Sequence, residues 1–309
     1  MQWKNGNRSW VSLSSLRLHD PYICILYVSK NQHLIHDPEW DWITEYLDDL
    51  PSIQRFIRAA KSKDKGLRKF KFGVEVPRSP RHALQLDEEH GNNNWQKSIK
   101  KELDEINEYE TFRLPEEGES LVGFQRIPYH LVFDVKFDGR HKSRLVAGGN
   151  HTEPPKEDIY SGVVSIESIR ILFFLATLNH LQIWAADVGN AFQNARSREK
   201  VIIRAGPEFG PKYHGKDLIV PKSLYGLRTA SSAFHSHLHL TLGKLGFKPT
   251  HPDSDLLIRD NGTHYEYIGT YVDDLIIASK DPQTIIDHLS VDYNLKGVGV
   301  PDGFWVPSQ

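Results

Sequence analysis

Apolar residues in this chain recur with two different periods. Behind Asn94, the residues Trp95, Ile99, Leu103 and Ile106 fall every three or four positions with charge between them. That spacing predicts an amphipathic helix with Asn94 as its cap. Just before it, Ser79-Pro80 reads as an N-cap followed by proline at the first helical position. A second helix is predicted over 166–179, with Ile169, Leu172, Phe173 and Ala176 on one face. A third runs from Ser231 to Leu245 through Phe234, Leu238 and Leu242, and Gly246 stands where a C-cap belongs. Asp281-Pro282 opens a last one, carrying Ile285, Ile286 and Leu289. Between these stretches the period falls to two. "HLVFDVKFDGRHKSRLVAGG" reads as a hairpin turning at "DGR". "LQIWAADV" is a short strand of the buried type ending in Asp187, after which "GN" turns the chain into "AFQNA". "HYEYIGTYVDDLIIAS" is strand, tight turn, strand. Helices and hairpins alternate irregularly, which predicts an α+β fold. The end, "GVGVPDGFWVPSQ", shows no period and reads as unpacked, with 299–309 as an unstructured tail.

Composition narrows the class. Of 309 residues, 39% are hydrophobic and 25% charged, enough for a core in one large domain or two small ones. The net charge of −2 points to no partner. The single cysteine, Cys24, excludes an intramolecular disulfide and any multi-cysteine zinc site, and fits a reducing compartment. No apolar run is long enough to span a membrane, and the polar start carries no signal peptide. The expectation is a soluble intracellular protein, cytoplasmic or nuclear. Charge is patchy, however. Residues 55–71 carry Arg55, Arg58, Lys61, Lys63, Lys65, Arg68, Lys69 and Lys71 against Asp64 alone. Such a block suits a phosphate backbone or a solvated linker equally well. "HSHLH" (His235, His237, His239) resembles a metal tract, but alternate residues do not share a helix face, which favours scattered histidines.

The candidate chemistry lies in "YIGTYVDDLIIASKD", where Asp273 and Asp274 interrupt an apolar run. Two carboxylates crowded at a hairpin tip repel each other, so a dication is their natural compensator. Magnesium takes hard oxygen ligands, often one or two carboxylates plus substrate phosphates. Asp187, at the end of another apolar strand, is the candidate third carboxylate for a two-metal site. Adjacent aspartates are also common in plain surface turns.

The surrounding motifs add specificity. "YVDD" between apolar strands resembles the active-site hairpin of reverse transcriptases, and "DVGNAF" resembles their first metal-binding motif. "KSLYGLRTASSAFHSHL", "HKSRLVAGGN", "YSGVVSIESIRILFFLAT" and "WQKSIKKELDEI" resemble, in order and spacing, segments of copia-type LTR-retrotransposon polymerases over residues 80–298. The resemblance implies the fingers and palm of a right-hand polymerase over 79–298, with a ferredoxin-like sheet backed by helices. It implies two-metal nucleotidyl transfer to a primer 3′-hydroxyl, with Mg2+, or Mn2+ in its place, held by Asp187, Asp273, Asp274 and the Val188 carbonyl. The implied partners are an RNA or DNA template with its primer and deoxynucleoside triphosphates. Phe192 takes the position of a steric gate, or is a core aromatic. Lys142 and Arg144 would hold the triphosphate, or are exposed hairpin charges. Asn190, Thr229 and Tyr271 fall at nucleotide or primer positions. Arg126, Lys136 and Arg140 join Lys142 and Arg144 in a basic stretch facing only Asp134 and Asp138, which suits template phosphates.

Three departures weigh against a working enzyme. After "LYGL" the family commonly reads Lys-Gln-Ala-Pro-Arg; this chain has Arg228-Thr229-Ala230-Ser231-Ser232, and Thr229 has a shorter reach than glutamine. "LVGFQRIPYHLVFDVK" lacks the family's lysine-tryptophan pair. Little chain follows the last helix, so the thumb is expected to be largely missing, with no room for a ribonuclease H domain. The alternative is therefore a truncated, inactive retrotransposon remnant that at most binds nucleic acid. A two-metal nuclease or phosphatase would share the carboxylates but not the gate aromatic. Residues 1–78 read as a linker region, with "QWKNGNRSWVSLSSLRL" resembling the segment between integrase and polymerase, and Trp3, Trp10 and Leu13 resembling a chromodomain-like pattern.

Overall fold

The structure is a computed structural model that describes residues 12–14, 24–25, 27–28, 31–46, 69–155 and 159–301. The chain divides into two compact units between Phe70 and Lys71. In the first, 3-10 turns at Gln32–His36 and Pro38–Tyr46 accompany a small apolar cluster of Cys24, Ile25, Val28 and Ile43. Trp3, Trp10 and the basic block from Arg55 to Arg68 lie outside the described residues, as do residues 302–309 of the expected tail.

Strand β1 (Lys69–Lys71) straddles the division, and the second unit follows with β2 (Val74–Val76), α1 (Pro80–Glu89) and α2 (Asn94–Glu108). Ser79 caps α1 as predicted, its hydroxyl accepting the His82 N–H at 3.2 Å. The cap of α2 is different from the expected Asn94, which is the first helical residue; Asn93 at the cap position makes no side-chain cap bond. Instead Asp87, buried at the end of α1, accepts the N–H groups of Trp95 at 3.0 Å and Gln96 at 2.8 Å. A carboxylate satisfies two orphan donors and faces the positive end of the helix dipole, which a neutral asparagine cannot match.

The predicted hairpin is β4 (Tyr129–Val135) with β5 (His141–Ala147), antiparallel from Tyr129↔Ala147 to Val135↔His141. Its turn closes by Lys136 N–H to Arg140 O and Gly139 N–H to Lys136 O. Trp95, Ile99, Leu103 and Ile106 of α2 pack on Leu131, Phe133, Val135 and Leu145 of this hairpin in one core. The same core takes in a small sheet the sequence pattern does not foretell: β3 (Gln125–Arg126), β7 (Val201–Arg204) and β8 (Asp217–Ile219), in the order β3-β7-β8.

The largest sheet has six antiparallel strands in the order β13-β6-β12-β11-β10-β9. They are β6 (Gln182–Val188), β9 (Lys248–Pro249), β10 (Leu256–Asp260), β11 (Tyr265–Tyr271), β12 (Asp274–Ser279) and β13 (Leu295–Gly299). Helix α3 (Ile166–Leu178) covers one face; α4 (Ala230–Lys244) and α5 (Pro282–Asp292) cover the other. Side chains alternate across a strand, so Leu275 and Ile277 join Phe234, Leu238, Leu242, Ile285 and Leu289, while Ile276 and Ala278 join Ile169, Leu172 and Ala176. Burial on both faces explains why "LIIA" is apolar without interruption. The chain end is less unpacked than its pattern suggests: Leu295–Gly299 pairs with the outer edge of β6, Leu295 opposite Val188 and Lys296 opposite Asp187. Backbone hydrogen bonds hold that strand, so its "LKGVG" sequence needs no alternation.

Asp87→Ala should lower stability by about 1–2 kcal/mol, while Asn93→Ala should change it by much less. Urea midpoints of the two variants check this; equal losses would show that Asp87 is not the cap.

Candidate active site

The site is assembled by strand register. β12 lies antiparallel between β11 and β6, with Asp274 opposite both Tyr271 and Asp187. The β11–β12 turn consists of Val272 and Asp273 alone, and Val272 has φ +55°, a strained conformation for a β-branched residue. The turn is pinned to β6 by Val188 N–H donating to Asp273 O at 2.7 Å. Asp187, Asp273 and Asp274 thus meet at one end of the sheet, all half-buried. Burial pushes the Asp187 carboxyl up, and the charges of Asp273 and Asp274 push it further; Lys296 and Lys136 pull against them. Three carboxylates crowded at one sheet end are a donor set for hard divalent cations. Among the described residues the three aspartates do not form a group whose ligand atoms all lie within 4.8 Å.

A wall of aromatic and cationic side chains stands beside the carboxylates. Lys142 and Arg144 are two apart on β5 and so share a face. The Arg144 guanidinium lies 5.5 Å from the centre of the Tyr225 ring, and Tyr225 meets Phe192 edge-to-face at 4.8 Å. Burial raises the Tyr225 phenol; Arg144 opposes the shift and Asp273 adds to it, so this ring senses the fields of both. Its placement comes from close backbone contact. A Cβ on Gly149 would meet Gly226 O at 2.2 Å, and one on Gly226, at φ +89°, would meet Ala147 O at 2.1 Å. Only two glycines let "AGGN" and "LYGL" touch, and Ala147 N–H donates to Tyr225 O at 2.7 Å. Arg228 locks the contact by donating to Gly149 O at 2.8 Å and Asn150 O at 3.1 Å.

The remaining candidates divide by what holds them. Phe192 packs against both main cores and is half-buried at their seam. Asn190 adopts the left-handed conformation that asparagine tolerates, and its amide donates to Glu105 at 3.2 Å. Lys142 Nζ is 3.8 Å from the buried Glu102 carboxylate, whose pKa burial raises against the Leu145 N–H, Lys142 and Arg144. Lys136, at the hairpin turn, acts on Asp187 through its charge. Arg126 pairs with Asp217 at 2.6 Å and Arg140 with Asp138 at 2.5 Å; ion pairs at the surface contribute little to stability. Thr229 is held by a part-buried carboxylate contact. It is buried, and its N–H and hydroxyl both donate to Glu199 at 2.9 Å, which anchors the start of α4. Tyr225 and Lys296 are site neighbours that the sequence reading passed over. Tyr225 stands inside "LYGL" and was readable there as an aromatic beside a glycine; Lys296 has no local signal.

Residues 109–304 match the reverse transcriptase (RNA-dependent DNA polymerase) family. The chain belongs to this family. Its similarity to curated relatives runs to copia-type elements. It is 32% identical over 179 residues to the retrovirus-related Pol polyprotein from transposon RE1 of Arabidopsis thaliana, covering 53% of this chain and 12% of that protein. Against the Pol polyprotein from transposon TNT 1-94 of Nicotiana tabacum it is 28% identical over 221 residues, 67% of this chain and 16% of the relative. The transposon Ty1-DR1 Gag-Pol polyprotein of Saccharomyces cerevisiae is 29% identical over 178 residues, 56% of this chain and 10% of the relative. This reverse transcriptase chain therefore spans about a tenth to a sixth of the length of these relatives. Among the described residues no helix is long and apolar enough to cross a membrane.

The raised Asp187 carboxyl has a sign that can be tested. Its stabilising proton is in place below the ordinary aspartate pKa and is lost as pH rises through the raised value, so at neutral pH without metal the charge opposes folding. Asp187→Asn should raise Tm at pH 7 in chelator, by a few degrees at about 2–4 °C per kcal/mol, and the gain should vanish toward pH 3. A lower Tm at pH 7 would refute the repulsion.

Proposed function

We propose that residues 79–298 form the fingers and palm of an RNA-directed DNA polymerase that extends a primer 3′-hydroxyl with deoxynucleotides. The observation that carries this reading is the register Asp274↔Asp187 with Asp273 in the adjoining turn, beside the Arg144–Tyr225–Phe192 wall. Asp187, Asp273, Asp274 and the Val188 carbonyl would hold two magnesium ions, or manganese in their place, which supply Lewis-acid activation of the primer hydroxyl and neutralise charge on the departing pyrophosphate.

The protein's own groups do the positioning. Arg144, Lys142 and Lys136 would receive the triphosphate; Arg144 is braced by the Tyr225 ring, so its fork meets the phosphate with little rotamer freedom left to lose. The Lys142–Glu102 pair lets that lysine exchange one anionic partner for another. Phe192 is wedged between two cores, so its ring cannot swing away from a ribose 2′-hydroxyl. Rigid exclusion of this kind favours deoxynucleotides. Asn190 holds the turn that presents Phe192, and Tyr271 and Val272 would lie beneath the primer end. Arg126 and Arg140 would follow the template phosphates. Thr229 contributes through the anchoring of α4 on Glu199.

On a poly(rA)–oligo(dT) template with magnesium, the chain should extend the primer, and Asp273→Asn should reduce extension by on the order of a hundredfold or more. Folded protein with no extension in either form would reject a working polymerase and support the inactive-remnant reading. Phe192→Val should raise ribonucleotide incorporation relative to deoxynucleotide by about tenfold or more; an unchanged ratio would remove Phe192 from the gate role.

A further inference from the structure

The histidines of "HSHLH" do not act as an alternating tract, but neither are they scattered. His235 and His239 are four apart on α4 and share one face. Their rings stack at 4.0 Å between centroids with 28° between planes. Both aim Nε2 at one oxygen of Asp255: His235 lies 2.6 Å from Oδ1 and His239 3.3 Å from the same atom. The three ligand atoms lie within 4.8 Å of one another, the one such group among the described residues. His237, on the other side of the helix, contacts the Tyr293 hydroxyl at 2.9 Å and takes no part.

The detail of the cluster favours an ion over a plain charged bridge. His239 Nε2 is buried and, despite its distance, lies outside hydrogen-bond geometry. One oxygen cannot serve two imidazole N–H groups well from stacked rings. Two imidazolium cations stacked at 4.0 Å would also repel, whereas two neutral imidazoles around one cation would not. Asp255 is supported from behind as metal-binding carboxylates usually are. Its Oδ1 accepts the Thr270 hydroxyl at 3.2 Å and its Oδ2 the Ser254 hydroxyl at 3.0 Å. Gly162 lies against it so closely that a Cβ there would meet Oδ2 at 2.0 Å.

We propose that His235, His239 and Asp255 form a site for a single zinc-class divalent ion, separate from the carboxylates at Asp187, Asp273 and Asp274. Two imidazole nitrogens and one carboxylate oxygen suit Zn2+, with water as the fourth ligand; magnesium and calcium prefer oxygen alone. The ion would staple α4 to the segment before β10. That segment reaches the candidate active site, because Thr270 N–H donates to Asp255 O at 2.9 Å and Thr270 lies three residues before Asp273. The ion is structural, holding the helix and the hairpin in one register.

The test uses the whole chain, freed of metal by chelator and titrated with zinc chloride in excess magnesium, which keeps the aspartates occupied. One zinc per chain is expected, with a higher Tm when bound, and Co2+ in its place should give the visible absorption of a tetrahedral centre. His239→Gln and Asp255→Asn should each weaken zinc binding by about tenfold or more, while His237→Gln and Asp273→Asn should bind as the wild type does. No stoichiometric zinc, or equal affinity in the ligand variants, overturns the proposal. If the buried Asp255→Asn fails to fold, the cobalt spectrum and His239→Gln decide: absence of a tetrahedral band in the wild type overturns it as well.

Discussion

The pairing of β12 with β6 is the constraint on which the rest depends. It sets Asp274 opposite Asp187 and brings the β11–β12 turn, with Asp273, to the same end of the sheet. Like charges gathered at one sheet end repel, more strongly the less water screens them. A slip by one residue would relieve that repulsion, but it would also turn every side chain of β12 to the opposite face. Leu275, Ile276, Ile277 and Ala278 are all fully buried, and each large member contributes about 1.5–3 kcal/mol. Apolar burial therefore outweighs carboxylate repulsion, and the sheet holds the acids where they would not gather by themselves. The strained Val272 is a second local cost carried by the same packing.

A second constraint is the seam between the two main cores. Phe192 belongs to both, and Tyr225 stands against it. The hairpin with Lys142 and Arg144 is tied to the Tyr225 segment by glycine-to-glycine backbone contact, while the aspartates are tied to the six-stranded sheet. The relative position of cationic wall and acidic end is thus fixed by backbone approach at Gly149 and Gly226 and by one aromatic wedge. Side-chain size at these three positions sets how far apart the cationic wall and the aspartates lie. The Arg228 bonds to Gly149 and Asn150 give a reason for arginine after "LYGL": it closes the same contact from outside.

Much of this was legible in the sequence where local periodicity and tertiary packing agree. The stripes on α2, α3 and α4, the Ser79 and Asp281 caps, the hairpin at "DGR" and a tight turn within "YVDD" all follow from spacing and turn chemistry, although Asp274, expected at the tip, already belongs to β12. The motif order also located the three aspartates that the register brings together. What escaped the sequence depends on partners distant along the chain. The cap of α2 comes from Asp87 in another helix, not from its neighbour Asn94. Strand β13 has two glycines at positive φ and no alternation, and only the edge of β6 makes it a strand. The bond from the Thr229 hydroxyl to Glu199, thirty residues earlier, has no local signal either. The alternate spacing of "HSHLH" hides the pair that converges, His235 and His239 four residues apart, completed by Asp255.

That last miss shows how the molecule links its parts. Asp255 faces two ways: its carboxylate gathers His235 and His239 from α4, and its carbonyl takes the Thr270 N–H from the strand leading to Asp273. Helix α4 begins at Thr229, beside the seam, and packs on the face of the sheet that carries Leu275 and Ile277. Movement of α4 would therefore be felt both at Phe192, through Phe234, and at the aspartate turn, through Asp255. Buried hydrogen bonds and close-packed side chains resist small displacements more stiffly than exposed ion pairs do. The carboxylate end and the Phe192 seam are thus the stiff part of the molecule, whereas Arg126 and Arg140 are held only by ion pairs at the surface.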